Sequence, residues 1–239
     1  MLRHILDLPE IASRNYTATA SDFLDPYEQR LVESITHHFP DVEHTWMPSG
    51  EGERKIVVFS PYEGMDVENA LSAFSIDSGE VLKHRDVLGS ILGLGIERGK
   101  IGDIVIGEKA YVVVKREIAN FIELSLKTIG RAPVRVRPVA VEDVPAIEEP
   151  WKSASAVVQS MRLDAVVRAV THMSRDEVRA RLSKNEIKVN FKTIKRAHET
   201  VSAGDLLSVR GFGRIKIFDD IGETKKGKRR FTYGILEQQ

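Results

Sequence analysis

RLDAVVRAVTHMSRDEVRARLSKNEIKVNFKTIKRAHETVSAGDLLSVR, residues Arg162 to Arg210, is the stretch whose reading decides the fold of this 239-residue chain. Leu163, Val166, Val167 and Val170 recur at helical spacing, which predicts a helix over Met161 to Thr171. Ser174 followed by Glu177 is a capping box that opens a second helix, Arg175 to Lys184. Ile187 with Val189, then Ile194, then Leu206 to Val209 read as short strands joined by polar turns, and Arg214 to Phe218 and Arg230 to Ile235 continue them. The region is therefore α+β with its helices first.

Charge separates this region from what precedes it. Residues 1 to 155 hold 17 Lys and Arg against 25 Asp and Glu, net −8, whereas residues 156 to 239 hold 18 against 10, net +8. Such asymmetry points to a polyanion-binding module joined to an acidic one. Between them VEDVPAIEEPWKSAS, residues 141 to 155, reads as a linker. Ahead of it, Pro26 to Phe39 predicts a helix, Lys55 to Ser60 a buried strand, and Asn69 to Ser75 a short strand or helical turn. His84 to Leu94 predicts a helix ended by Gly95, Ile101 to Ile106 and Ala110 to Lys115 a hairpin, and Ile118 to Leu126 a helix. Val134, Val136 and Val139 interleave with Arg135 and Arg137 as a strand with a basic exposed face. The expected organisation is two small α/β units, 1–75 and 76–140, the linker 141–155, and a C-terminal domain over 156–239.

Composition excludes several classes of function. The chain is 42% hydrophobic and 29% charged, a globular pattern, and with Cys 0 it can form neither disulfides nor thiolate metal sites. Met1 to Glu10 carries Asp7 and Glu10 where a secretory signal would be apolar. The apolar runs Ile56–Phe59 and Ala110–Val114 fall far short of the roughly 20 residues that span a bilayer. A cytoplasmic protein with no membrane partner is expected. His37, His38 and His44 lack matched acids and read as ordinary histidines rather than metal ligands. The glycines at 93, 95 and 99 close a helix instead of opening one, against a dinucleotide site. No metal, cofactor or catalytic residue is expected.

The order Arg162-Leu163-Asp164, Ser174-Arg175, Leu182, Ile187-Lys188-Val189-Asn190, Val201, Gly204-Asp205, Leu207-Ser208-Val209 resembles the RNA-binding domain named after ribosomal small-subunit protein four, the S-four domain. Two positions depart from the family pattern: Asn185 and Phe191 stand where it has glycine, and Phe191 implies a different turn. Beside the resemblance, Arg175, Arg179 and Lys184 can share one helix face, with Lys188, Lys192, Lys195 and Arg196 just beyond. Such a basic surface suits the phosphates of folded RNA. Arg162, Ser174 and Asn190 complete the expected contacts, and TKKGKRR, with Lys225, Lys226, Lys228, Arg229 and Arg230, reads as a cationic hairpin tip. Arg-Leu-Asp also surrounds the catalytic carboxylate of pseudouridine synthases; here it opens a helix, so a cap or a salt bridge to a nearby Arg is the expectation for Asp164.

His84-Arg85-Asp86, Leu88-Gly89, Gly95-Ile96, Arg98 and Lys100-Ile101-Gly102-Asp103-Ile104 resemble the signature of the YlmH family of bacterial S-four proteins. The α/β plan of the two small units is compatible with an RNA-recognition-motif-like plait, although Gly107 to Val114 lacks that motif's aromatic signature beyond Tyr111; the resemblance itself implies a cytoplasmic, ribosome-associated RNA-binding protein. It would act on the large ribosomal subunit and its ribosomal RNA, with tRNA or peptidyl-tRNA, in quality control of stalled translation, and be a monomer off the ribosome. His84, Arg85, Arg98 and Lys100 are candidates for a second RNA site, with an internal ion-pair network as the competing reading. An RNA-modifying enzyme that uses the S-four domain for delivery, and a protein-interaction adaptor linked to cell division, stay open as alternatives.

Overall fold

Ile5, Leu8 and Ala12 recur three and four residues apart and are buried, so α1 (Leu2–Asn15) turns one apolar stripe inward. The computed structural model to which it belongs describes residues 2–50, 52–62, 70–146, 151–224 and 227–237. These fall into two compact units, Met1–Ile147 and Glu148–Gln238.

In the first unit, β1 (Thr19–Ala20), β2 (Glu43–Met47) and β3 (Ile56–Ser60) form a sheet in the order β1-β3-β2. Helix α2 (Pro26–Thr36) begins at a full capping box, Asp25 with Glu28, and buries Val32. With α1 it covers Leu24, Val57 and Phe59. Strand β3 is buried along its whole length, as its continuous apolar run predicts. Its other face, Ile56 and Val58, packs with Phe23 on Leu71, Ala73 and Val113 of a second sheet.

That second sheet contains β4 (Leu71–Ser78), β5 (Ile101–Ile106), β6 (Ala110–Lys115), β7 (Thr128–Ile129) and β8 (Ala132–Val139) in the order β5-β6-β4-β8-β7, antiparallel throughout. Helix α3 (His84–Gly93) joins β4 to β5, and α4 (Ala119–Ser125) follows β6. The βαββαβ path and strand order are those of the ferredoxin-like plait. Val87, Ile91 and Ile122 of the helices meet Phe74, Ile76, Val112 and Val114 on one face. The unit is thus layered as helices, small sheet, large sheet, helices.

In the second unit, β9 (Lys152–Val158) precedes α5 (Leu163–Thr171) and α6 (Arg175–Ser183), followed by β10 (Ile187–Val189), β11 (Lys192–Thr193), β12 (Leu206–Val209), β13 (Gly213–Glu223) and β14 (Arg229–Glu237). The sheet order is β11-β10-β12-β13-β14-β9. Leu163, Val166, Val170, Val178 and Leu182 of the helices pack on Ile187, Leu207, Ile215, Ile217 and Phe231.

Three expectations need correction. Strand β4 runs through the expected boundary at residue 75, because Leu71 to Ser75 pair with β6 in the same ladder as Ile76. The last residues of the expected linker, Lys152 to Ser155, lie in β9 and pair with Thr232 to Ile235, while 147–150 fall outside the described residues. Phe191 does not force a different turn: Val189 faces Lys192, and the two loop residues Asn190 (φ 49°) and Phe191 (φ 69°) both take the left-handed conformation a tight type I′ hairpin needs.

Candidate nucleic-acid interface

The start of α6 is built by its capping box. Ser174 Oγ accepts from Glu177 N–H at 3.2 Å, and Ser174 N–H donates to Glu177 Oε2 at 2.8 Å. These bonds to Ser174 hold the Glu177 carboxyl below its usual value. Ser174 thus positions the start of the helix, its hydroxyl oxygen accepting from the backbone while the O–H keeps its capacity to donate. With Val178 and Leu182 buried, Arg175 and Arg179 stand one turn apart on the exposed side. Arg175 has no partner among the described residues, and Arg179 lies 4.0 Å from Asp176, a carboxylate 94% exposed. Lys184 is exposed at the other end of the helix.

A second group of cations gathers at the start of α5. Leu163 N–H donates to Glu199 O at 2.8 Å and Asp164 N–H to Ala197 O at 3.1 Å, so the loop carrying exposed Lys195 and Arg196 is fastened there. Arg162 bridges to Thr200 in the same place, and its guanidinium forms a two-pronged pair with Asp164, Nε to Oδ1 at 3.1 Å and Nη2 to Oδ2 at 3.2 Å. Asp164 is thus the salt-bridge partner of Arg162.

Two expected contacts have structural roles. Asn190 donates from Nδ2 to Asp205 Oδ1 at 2.7 Å and accepts from Leu206 N–H at 2.9 Å. Asp205 also accepts from Ser202 N–H at 2.7 Å, and Gly204, at φ 88°, supplies the turn, so the Asn and the Gly-Asp pair of the motif lock to one another across the sheet. At the hairpin tip, Arg229 is paired to Asp220, while Lys228 and Arg230 are exposed; Lys225 and Lys226 lie outside the described residues.

The expected basic surface is divided. Ile187 and Val189 turn to the helices, so Lys188 between them projects from the opposite face of the sheet. Lys192, opposite Val189 on the edge strand, stays on the helix side. Sequence reasoning also passed over Arg181, which reaches Glu186 and the Arg210 carbonyl, and over Arg214 and Lys216, which share the face of Lys188. The alternation Arg214-Ile215-Lys216-Ile217 carried that signal.

In the first unit, Arg98 and Lys100 are occupied internally. Lys100 Nζ lies 2.8 Å from Asp22 and 2.7 Å from Glu117; burial lowers its pKa, but the two carboxylates together outweigh it and raise the pKa overall. Arg98 donates to the Ile101 carbonyl, and burial beside Arg54 lowers its pKa to about 10. His84 and Arg85 are exposed on the first turn of α3, with Arg85 3.4 Å from Asp86. The four candidates do not converge on one cationic surface. Nor does the plait offer the usual sheet face for stacking bases: Leu71, Ala73 and Val113 are covered by Phe23, Ile56 and Val58. What stays accessible is the far end of that face, where Asp77 lies 3.1 Å from Lys109 and 3.7 Å from Arg137.

Residues 76–143 match a family model described as "Putative RNA-binding domain in YlmH". The chain is 33% identical to the ribosome-associated protein quality control protein P2 of Bacillus subtilis (strain 168), over 95% of this chain and 91% of that protein. It also resembles in fold the cell division protein ylmH from Streptococcus pneumoniae, with a TM-score of 0.54 and 20% identity over 60% of this chain and 92% of that one. Among the described residues, no helix is long and apolar enough to cross a membrane.

Proposed function

The chain belongs to the YlmH family, and from that premise we propose that it is a non-catalytic RNA-binding protein of ribosome-associated quality control. It docks on ribosomal RNA of the large subunit that still carries peptidyl-tRNA. The C-terminal unit acts as an S-four domain. The observation that carries this reading is the capped helix α6, which fixes Arg175 and Arg179 on one outward face, with no buried acid among the described residues to consume them. The relative's name, which places it in ribosome-associated quality control, supports the same role. Asp164 spends both carboxylate oxygens on Arg162, which favours a positioning role for the Arg-Leu-Asp triplet over chemistry on a base. The protein works in the cytoplasm, as a monomer when off the ribosome.

Binding acts here by preference for one particle state, which raises that state's population. If about five or six phosphates are neutralised, affinity falls roughly a thousandfold between about 50 and 200 mM salt. The test is sedimentation of lysate through gradients at low and moderate salt, comparing wild type with the double variant Arg175→Glu, Arg179→Glu. Wild type is expected with large subunits and the variant at the top of the gradient. Failure of the wild type to travel with any ribosomal particle removes the reading.

A further inference from the structure

The sheet of the second unit has one face on α5 and α6 and another turned away from them. On the latter, register aligns Lys188, Ser208 and Arg214 in one row and Lys216, Gly234 and Ser153 in the next. Three aromatic side chains share it, none of them part of the core beneath the helices. The Arg214 guanidinium lies 5.7 Å from the centre of the Phe191 ring. A Cβ on Gly234 would fall 2.6 Å from Phe218 Cζ and 2.8 Å from Trp151 Cβ, so both residues lie directly over the bare backbone there. One acid of β13, Asp219 opposite Thr232, lies on this side beyond a bulge.

Phe191 is the informative residue. At φ 69° it holds a conformation that costs a bulky side chain about 1–2 kcal/mol and glycine almost nothing. The ring adds nothing to the core, and a cation–π contact at a partly exposed site, about 0.5–1 kcal/mol, does not recover that cost. A strained aromatic kept on a basic face suggests a role in binding.

We propose that this face is a stacking platform for an unpaired RNA segment: bases lie on Phe191 and on the Phe218–Trp151 pair, and Lys188, Arg214 and Lys216 meet the phosphates between them. Aromatic planes interleaved with cations match single-stranded nucleic acid, whose bases are free to stack. A duplex would offer the same face only phosphates, because its bases are already stacked. The inference rests on the RNA-binding reading above, yet it involves a surface distinct from that of Arg175 and Arg179.

The test uses the full chain and a fluorescent oligouridylate of about 12 nucleotides, within the site sizes of single-strand binders, alongside a duplex of equal length. Phe191→Gly removes the ring and relieves the backbone, so its thermal transition is not expected to fall much. Its affinity for the oligonucleotide is expected to drop about 5- to 150-fold, the range for one stacked base. Lys188→Gln with Lys216→Gln should weaken binding and flatten its salt dependence, and by more than the equal loss of charge in Arg175→Gln with Arg179→Gln on the helix face. Wild-type affinity in both platform variants overturns the proposal. So does a wild type that travels with large subunits but ignores the oligonucleotide, which leaves the ribosomal reading standing. Platform-dependent oligonucleotide binding without ribosome association supports the platform and removes the ribosomal reading instead. Platform variants that lose subunit association yet keep the oligonucleotide assign this face to a protein contact and overturn the proposal.

Discussion

Replacing Asn190 by Ala tests whether the Asn and Gly-Asp elements of the C-terminal motif are an architectural lock. The substitution deletes the 2.7 Å bond to the Asp205 carboxylate and orphans the Leu206 N–H that Asn190 now accepts at 2.9 Å. A hydrogen bond to a charged group contributes about 1.5–3 kcal/mol, and a stranded N–H adds about 1 kcal/mol more. Alanine is also less tolerant of φ 49° than asparagine, by roughly a further 1 kcal/mol at most. The expected loss is about 3–4 kcal/mol, which in a unit the size of Glu148–Gln238 lowers the melting temperature by roughly 15 °C or more. Calorimetry of the full chain reads the loss, and hydrogen exchange localises it, with the Leu206 amide losing protection first. Asn190→Asp is a useful companion: it tolerates the left-handed backbone but sets one carboxylate against another, so its deficit should shrink as pH falls and one of them takes a proton. A change under about 0.5 kcal/mol with Leu206 still protected would refute the lock and return Asn190 to the list of direct RNA contacts.

Three further outcomes follow from other contacts. Gly102→Ala places a Cβ 2.6 Å from the Phe23 ring, which is 1% exposed and cannot withdraw, so the first unit should lose about 1–3 kcal/mol in thermal unfolding; an unchanged transition would mean the ring has room to move. Lys115, buried with its ammonium donating to Ser21 O at 2.7 Å, has a pKa pushed below 10.5 by burial; between the folded value and 10.5 the unfolded chain binds more protons, so stability rises with pH there. Lys115→Met should flatten that rise, and parallel stability curves for the two proteins would contradict it. Glu177, held below 4.5 by its bonds to Ser174, contributes stability that is complete above 4.5 and lost as pH falls through the lower folded value. The advantage of wild type over Glu177→Gln should therefore vanish at the acid end of a pH series of urea melts, and an advantage that persists there would be inconsistent with the cap.

Much of the local structure was legible. The hairpin Ile101–Ile106 with Ala110–Lys115 matches β5 and β6 residue for residue, and the Ser174–Glu177 box opens α6 where it was expected. Helix α1 escaped because Pro9 sits inside it and breaks the helical signal, although Ile5, Leu8 and Ala12 keep helical spacing around it. The pairing of the two sheets in the first unit was hidden for a different reason. Strands buried on both faces, such as Ile56–Ser60, read as plain apolar runs, and a run does not say what covers each side. Site residues were hardest, because sequence reveals charge but not its partner. Arg98 and Arg175 look alike in a row of letters, yet one is closed in by backbone carbonyls and the other faces water. Lys188 shows the same limit: alternation sends it to a face of its sheet, but only the packing of Ile187 reveals which face the helices take.

The position of β14 between β13 and β9 has a consequence for biosynthesis. Lys152 pairs with Ile235, a partner 83 residues later in the chain, so β9 leaves the ribosome long before any strand exists to receive it. Helices α5 and α6 and the ladder from β10 to β13 can assemble during that interval from nearer contacts. Until residues 229–237 emerge, β9 and the outer edge of β13 both expose unpaired backbone. A nascent chain interrupted there would carry two adhesive edges, and arrival of a single strand conceals both at once.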